Sequence, residues 1–477
     1  MSAEALEGLT REELIGLVLS QAEAIGLLEA RNTMLEKRVA QLEERVGQNS
    51  RNTSKPPSSD GPGAAAEGKR GRGRPRKVRR GGQPGHAGHS RSLLPIEKVD
   101  RVVLCREDAC ERCKAPLSGE DPKPIRHQVH EIPPQRLEVV EYQVHRLRCL
   151  VCGHTTSGKP PPGVTSSRFG PRVHALVALL TGRLLLSKRE VVEYFEMLYG
   201  DGPSAGTVSA IERRMSAMLR APVRAVILAV RAAGIVYADE TKWRQEKKSV
   251  WLWEAGAGTG LVFFKIQLGR GRLEAKRLLG KNFGGLAVVD MLGAYNWIVL
   301  RQLCWAHVLR IFRALAERKG SEWHGRRLEL AGYRVLADWR AWRDGKISRE
   351  EMFTRITVHR TTIHALLERV ADAGLSERSC RQCAWLLKRE HLLWTFLDHK
   401  DVEPTNNRAE RRVRRGVLMR KKTFGTDSVH GSRFVERILT ATGCLREQKR
   451  DVLSFLTDAY TAHLAGLPMP SLLPLPS

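Results

Sequence analysis

Within the first 47 residues apolar positions recur on a seven-residue cycle: Leu14, Leu28, Leu35 and Leu42 on one position, with Val18, Ile25, Asn32, Val39 and Val46 on the facing one. A heptad repeat keeps one seam of a helix turned toward a partner, so the pattern predicts a coiled coil. β-Branched residues facing leucines favour two parallel strands, and the single Asn32 would fix their register. The alternative is an amphipathic helix packed on its own chain. Further on, Val173 to Leu219 reads as three helices, the last capped by Ser204 or Thr207. Ile235 to Ala238 reads as a buried strand ending in Asp239-Glu240-Thr241. Strands over 249–255 and 261–267 flank a glycine-rich hairpin turn. A helix over Arg272 to Leu279 follows, then a fourth strand, Leu286 to Val289, which runs into Asp290.

Strand, strand, strand, helix, strand is the order of an RNase H-like α/β fold, in which the first and fourth strands are neighbours. Their acids, Asp239 and Asp290, would therefore converge. A fifth strand is expected over Val299 to Cys304, then a tryptophan-containing helical insertion at about 320–398. The tryptophans at 323, 339, 342, 385 and 394 are expected in the core.

Composition changes the picture at 48–95, where Ser, Pro, Gly, Lys and Arg replace apolar residues and no core can form. This stretch reads as a linker. Inside it, Lys69 to Arg80 holds eight basic residues in twelve. Its Gly73-Arg74-Pro75 centre looks like an AT-hook, and Arg72, Arg74, Arg76 and Lys77 are its candidate minor-groove contacts. Over the whole chain 80 Lys+Arg face 52 Asp+Glu, a net charge of +28, so a polyanion is the leading partner. No run of about 18 uncharged apolar residues occurs, which predicts no membrane span. The start lacks a signal-peptide pattern, so a cytoplasmic, nucleoid-associated location is expected.

Reduced cysteines are then expected, and Cys110-x-x-Cys113 with Cys149-x-x-Cys152 fits a zinc ribbon over 96–165. Four thiolates would close a tetrahedral structural Zn²⁺ site. Cys105 is a spare. Cys380-x-x-Cys383 with Cys304 and His307 forms a conceivable second set, although separate reduced cysteines are the simpler reading; His307 is alternatively placed to approach a scissile phosphate.

Two Asp are too few for a nuclease that holds two divalent ions roughly 3.5–4 Å apart across one phosphodiester. A third acid is expected from a downstream helix, and Pro404-Thr-Asn-Asn-Arg-Ala-Glu410 offers it, with Thr405 or Asn406 as cap. Arg408, Arg411 and Arg412 on that helix are candidate DNA-backbone contacts, with Arg414 and Arg415 beside them.

These motifs resemble the insertion-sequence-66 family of DDE transposases along nearly the whole chain. The resemblance is carried by Asn52-Thr-Ser-Lys-Pro-Pro-Ser-Ser-Asp60, Gly82-Gln-Pro-Gly-His86, the cysteine pairs ending in Cys152-Gly-His154, and Asp239-Glu-Thr-Lys-Trp243. It continues through Trp251-Leu-Trp253, Asp290 with Tyr295, Cys304-Trp-Ala-His307, Asn406-Asn-Arg-Ala-Glu-Arg411 and Arg420-Lys-Lys-Thr-Phe-Gly425. One departure is the spacing of Met291 to Ala294 before Tyr295.

The resemblance implies that Asp239, Asp290 and Glu410 are the catalytic, Mg²⁺- or Mn²⁺-binding triad, with two ions per site, and that Cys110, Cys113, Cys149 and Cys152 hold zinc. It implies nicking of double-stranded DNA at inverted-repeat ends and joining of the 3′-hydroxyl to target DNA. Small accessory proteins of the same element are implied as partners, and the coiled coil implies a homodimer or higher oligomer. The expected architecture is multidomain α+β. It comprises a coiled coil (1–47), linker (48–95), zinc ribbon (96–165), helix-turn-helix-like DNA-binding module (166–230), catalytic domain (231–450) and C-terminal helix with tail (451–477). The rival readings are a catalytically idle, DNA-binding regulator and a structure-specific nuclease.

Overall fold

A computed structural model describes residues 10–49, 51–53, 92–258, 260–372 and 376–474. The AT-hook-like residues Arg72, Arg74, Arg76 and Lys77 lie outside the described residues, as do most of the linker motifs. The heptad stretch forms one helix, α1 (Arg11–Val46), opened by a reciprocal Thr10–Glu13 capping box. Leu14, Val18, Ile25, Leu28, Leu35, Val39, Leu42 and Val46 are all exposed along it.

The cysteine-rich stretch contributes a two-stranded antiparallel ribbon, β1 (Arg146–Arg148) and β2 (Thr155–Ser157). The alternating pattern over Gln143 to Arg148 predicts a longer first strand than the three residues observed.

Four helices follow: α2 (Pro171–Gly182), α3 (Lys188–Tyr199), α4 (Ala205–Met218) and α5 (Arg220–Ala232). Ser187 and Glu190 form a capping box on α3, and the Ser204 side chain caps α4 by accepting from Thr207 N–H. Their apolar faces share one continuous core with the sheet that comes next.

That sheet contains β3 (Ile235–Gln245), β4 (Lys248–Ala257), β5 (Leu261–Gln267), β6 (Leu286–Val289) and β7 (Arg301–Leu303), in the order β5-β4-β3-β6-β7. The first three strands are antiparallel; β6 and β7 run parallel to β3. The crossover from β5 to β6 carries α6 (Arg272–Leu279). Burial on both faces explains why β6 reads as an uninterrupted apolar run.

Two expectations need correction. Asp239 does not end its strand: β3 continues to Gln245 and turns into β4 through Glu246 and Lys247, both at positive φ. The full antiparallel register with β4, Val236 against Ala257 through Gln245 against Lys248, holds this extension straight. Nor does the Asn406 side chain cap its helix, since its amide is used elsewhere, as described below.

After β7 come α7 (Trp305–Glu317), α8 (Glu322–Arg343), α9 (Arg349–Asp372), α10 (Glu377–Leu387) and the single turn α11 (Thr395–Asp398). Trp339 and Trp394 are buried, and Trp342 and Trp385 pack on the core as half-buried groups. Trp323 differs: it is exposed, and Arg327 stacks on its ring.

The chain then returns to the sheet with α12 (Asn407–Thr423), α13 (Val429–Glu447) and α14 (Val452–Leu464). Edge strand β5 would otherwise present unpaired backbone groups. Here Glu436, Thr440 and Cys444, four residues apart on α13, accept from Ile266, Phe264 and Val262 N–H at 2.7, 3.1 and 3.4 Å. Cys444 is thereby a buried structural thiol.

The Lys-Thr-Phe-Gly turn locks α12 against the far end of β3. A Cβ on Gly425, whose φ is +113°, would meet Arg244 O at 2.2 Å, so only glycine fits this approach. Among the described residues no helix is long and apolar enough to cross a membrane.

Candidate metal centre

Parallel pairing of β3 with β6 stops at Tyr237 and Val288. One residue beyond the end of β6 stands Asp290, beside Asp239 on the strand that continues. The ligand oxygens of Asp239, Glu240 and Asp290 lie within 4.8 Å of one another.

Burial pushes the Asp239 carboxyl well above its ordinary range, and Glu240, Asp290 and Glu410 repel its charge further. Asp290 is raised by burial against the opposing effects of the Leu292 N–H, which donates at 2.8 Å, and of Arg270 and Arg310. Carboxylates crowded in this way are short of positive charge.

Glu240 is the member that sequence reasoning missed. It is buried, accepts from Arg270 Nε at 2.8 Å and from Tyr295 Oη–H at 3.0 Å, and burial raises it to about 7. Arg270 also sits over the Trp251 ring at 4.7 Å and reaches Asp290 at 4.0 Å. The spacing of Tyr295 is thereby explained: a short 3₁₀ turn, Gly293–Tyr295, brings its hydroxyl under Glu240.

Glu410 enters from α12. Asn406 Nδ2 donates to Ala238 O at 2.7 Å, Asn406 N–H to Cys304 Sγ at 3.2 Å, and Trp305 N–H to Pro404 O at 2.9 Å. The start of α12 is thus tied to the residue before Asp239 and to the start of α7. Glu410 then forms a second group, with Cys304 and His307, whose ligand atoms also lie within 4.8 Å of one another. The groups are electrostatic neighbours, because Glu410 acts on Asp239 and Asp290 acts on Glu410.

His307 Nδ1 faces Glu410 Oε1 at 3.8 Å, and both atoms are buried without a hydrogen-bond partner. Burial, aided by Arg310, lowers the imidazole to about 3, so it is neutral. Arg310 Nη1 lies 3.1 Å from Nε2; because Arg only donates, the ring proton belongs on Nδ1, toward Glu410. Burial raises Cys304 to about 12, so it is a thiol. The sequence signal for this pair was Cys304-x-x-His307 itself. Cys380 and Cys383, on α10, are not part of either group.

The other expected residues fall out differently. Cys110 with Cys113, and Cys149 with Cys152, each form a local turn in which backbone N–H groups and the paired thiol lower the first cysteine's pKa. A left-handed residue, Lys114 or Gly153, closes each turn. Among the described residues the four thiols do not meet in one ligand-sized group.

Arg408 pairs with Glu403 at 3.1 Å and lies over the Tyr237 ring. Arg411 is exposed. Arg412 must be corrected as a DNA contact: it is only 9% exposed, and its guanidinium bonds Glu447 at 2.6 Å and Glu254 at 3.4 Å. Helical periodicity turns it inward, onto β4.

Carboxylates meeting at the ends of two adjacent parallel strands, with a further glutamate from a helix beside them, make an acid cluster able to hold a cation. A family model described as "Transposase IS66 family" matches residues 166–433, more than half of the chain, and the protein therefore belongs to the IS66 family of transposases. The matched span includes Asp239, Asp290, Cys304, His307 and Glu410. A second model, of a family of unknown function (DUF6444), matches residues 6–92. No curated protein matches the chain. As a transposase the protein acts on DNA, and transposases of the DDE type generally use divalent metal.

Proposed function

We propose that this transposase cleaves insertion-sequence ends and joins the freed 3′-hydroxyl to target DNA, with Asp239, Asp290 and Glu410 holding divalent metal. The observation that carries the reading is that Asp239 on β3 and Asp290 just past β6 share one ligand-sized group, while Glu410, in the first turns of α12, stands in a neighbouring group that is electrostatically coupled to both. The sheet order β5-β4-β3-β6-β7, with the first three strands antiparallel, supports an RNase H-like fold for this region.

Hard oxygen donors suit Mg²⁺ or Mn²⁺, and the residues fit such a cation. Their carboxylates repel one another, and Glu410 Oε1 is buried with no partner. Bound there, two ions supply a nucleophile at neutral pH and charge neutralisation on the departing oxygen. The chain's own part is to aim the ligands. Arg270 and Tyr295 fix Glu240 behind Asp290, and Asn406 fixes the start of α12.

Because burial raises the pKa of Asp239, Asp290 and Glu410, metal competes with protons for them. Mn²⁺ affinity is expected to rise with pH as Glu240 ionises through about 7. Isothermal titration of Mn²⁺ checks this. Wild type should bind, Asp239→Asn should not, and equal binding by both would remove Asp239 from the site.

The two cysteine turns, in each of which backbone N–H groups and the paired thiol lower the first cysteine's pKa, support the ribbon as a structural zinc site. One Zn²⁺ per chain by elemental analysis is expected, lost in Cys113→Ser and in Cys152→Ser alike. Retention in either variant would break the four-thiolate assignment. The exposed heptad seam of α1 supports pairing of two protomers through a parallel coiled coil, so that both transposon ends are held together.

A further inference from the structure

On the side of α12 away from His307 lies a cleft of about 730 Å³, between α12, α13, the end of α2 and the tip of the β4–β5 hairpin. Arg183, Arg415 and Arg446 enter it from three different helical segments. Among the described residues none of the three guanidinium groups forms an ion pair or hydrogen bond, and Arg415 Nε is buried without a partner. The acid lining the cleft, Glu447, is already committed to Arg412 in a two-pronged pair. Burial together with the facing charges of Arg415 and Arg446 lowers Arg183 to about 10, and burial with Arg446 lowers Arg415.

Holding like charges together in a partly desolvated cleft costs stability unless an anion joins them. The hairpin tip leaves the mouth open: Gly258 and Gly260 border it, and they carry no side chain to cover the arginines. Arg408, Arg411 and Arg415 form an i, i+3, i+7 stripe on α12. Arg415 stands five residues beyond Glu410, about 7.5 Å along the helix axis, or roughly two nucleotide rises of B-DNA.

We infer that Arg183, Arg415 and Arg446 form a phosphodiester-binding cleft that grips one DNA strand a few nucleotides from the acid cluster. The inference rests on the DNA binding that family membership entails, and it is independent of which acids hold metal. It assigns to Arg183 and Arg446 a role that no helix pattern announces, because they come from the ends of α2 and α13. It also drops Arg412 from the expected contact set and keeps Arg415, one helical turn beyond Arg411.

The test is an anisotropy titration of a labelled inverted-repeat duplex against the full chain, over a salt series with EDTA throughout, so that metal chemistry plays no part. Each lost phosphate contact lowers the slope of log K against log salt by about 0.9. The Arg415→Gln/Arg446→Gln double variant is expected to lose about 1.8 from that slope, and Arg415→Lys to retain it. Without DNA the double variant should melt no lower than wild type, because mutual repulsion has been removed, whereas wild type should gain more from added duplex.

An unchanged slope would overturn the inference. So would equal thermal protection of wild type by inorganic phosphate at the same phosphate concentration, which would mark a small-anion site. A free double variant that melts lower would mark the arginines as structural and also overturn it. Failure of the acid-cluster reading would appear separately, as metal-independent nicking.

Discussion

Asp290→Asn is expected to reduce Mg²⁺-dependent nicking of an inverted-repeat duplex by more than about 100-fold while leaving DNA affinity within about twofold. The magnitude follows from position: loss of even an outer-shell partner of a metal ligand costs about 10- to 100-fold, and Asp290 is proposed as a ligand itself. Affinity should survive because the phosphate contacts come from arginines on α12 and elsewhere. Stability should move the other way. Asp290 is one of several acids that burial and mutual repulsion hold above their ordinary range, and removing its charge relieves Asp239 and Glu240. The melting temperature in EDTA should therefore hold or rise. A variant that loses both nicking and melting temperature would mark Asp290 as structural.

Arg412→Ala is expected to destabilise the fold by about 1–3 kcal/mol, the range for leaving a buried polar partner without its hydrogen bond. Glu254 is the buried carboxyl left behind, and without Arg412 it keeps its proton. It lies fully buried on β4, burial raises it to about 8, and the nearest cation is Arg412. Arg411→Ala, one residue away but exposed, should change stability by no more than about 0.5 kcal/mol and instead weaken DNA binding. Urea unfolding of the two variants checks the contrast; equal midpoints would mean the Glu254–Arg412–Glu447 network does not hold α12 to the sheet. An Arg412 variant inactive in DNA binding would thus report unfolding rather than a lost phosphate contact.

Much of the half that carries the acid cluster was legible because its elements carry strong local signals. α6 and β6 fall at the expected residues, one as a short amphipathic segment between glycines and the other as a bounded apolar run. The pairing of β3 with β6 then brings Asp239 and Asp290 together, as the strand order implied.

The Glu246–Lys247 turn was not legible. Hairpin turns at positive φ are normally announced by Gly, Asn or Asp, and here the β3–β4 register imposes that conformation on Glu and Lys. α5 was missed because it follows α4 directly through Leu219, and Pro222 near its start reads as a break although the first turn tolerates proline.

Glu240 was illegible for a different reason. Strand alternation sends it to the face opposite Asp239, and only the position of Asp290 just past β6, with Arg270 and Tyr295 behind, brings the carboxylates together. Arg412 shows the same limit. Its arginine-rich surroundings suggest DNA, but its partners Glu254 and Glu447 come from elements that only the tertiary fold brings to it.

The central claim is that the acids converging from β3, β6 and α12 perform the strand chemistry. Nicking of an end-labelled duplex bearing the inverted repeat, by wild type and Glu410→Gln with Mg²⁺ or EDTA, tests it most directly. Cleavage at the repeat end is expected from wild type with Mg²⁺ alone, and none from Glu410→Gln under either condition. Cleavage by Glu410→Gln at the wild-type rate, or cleavage by wild type in EDTA, would contradict it.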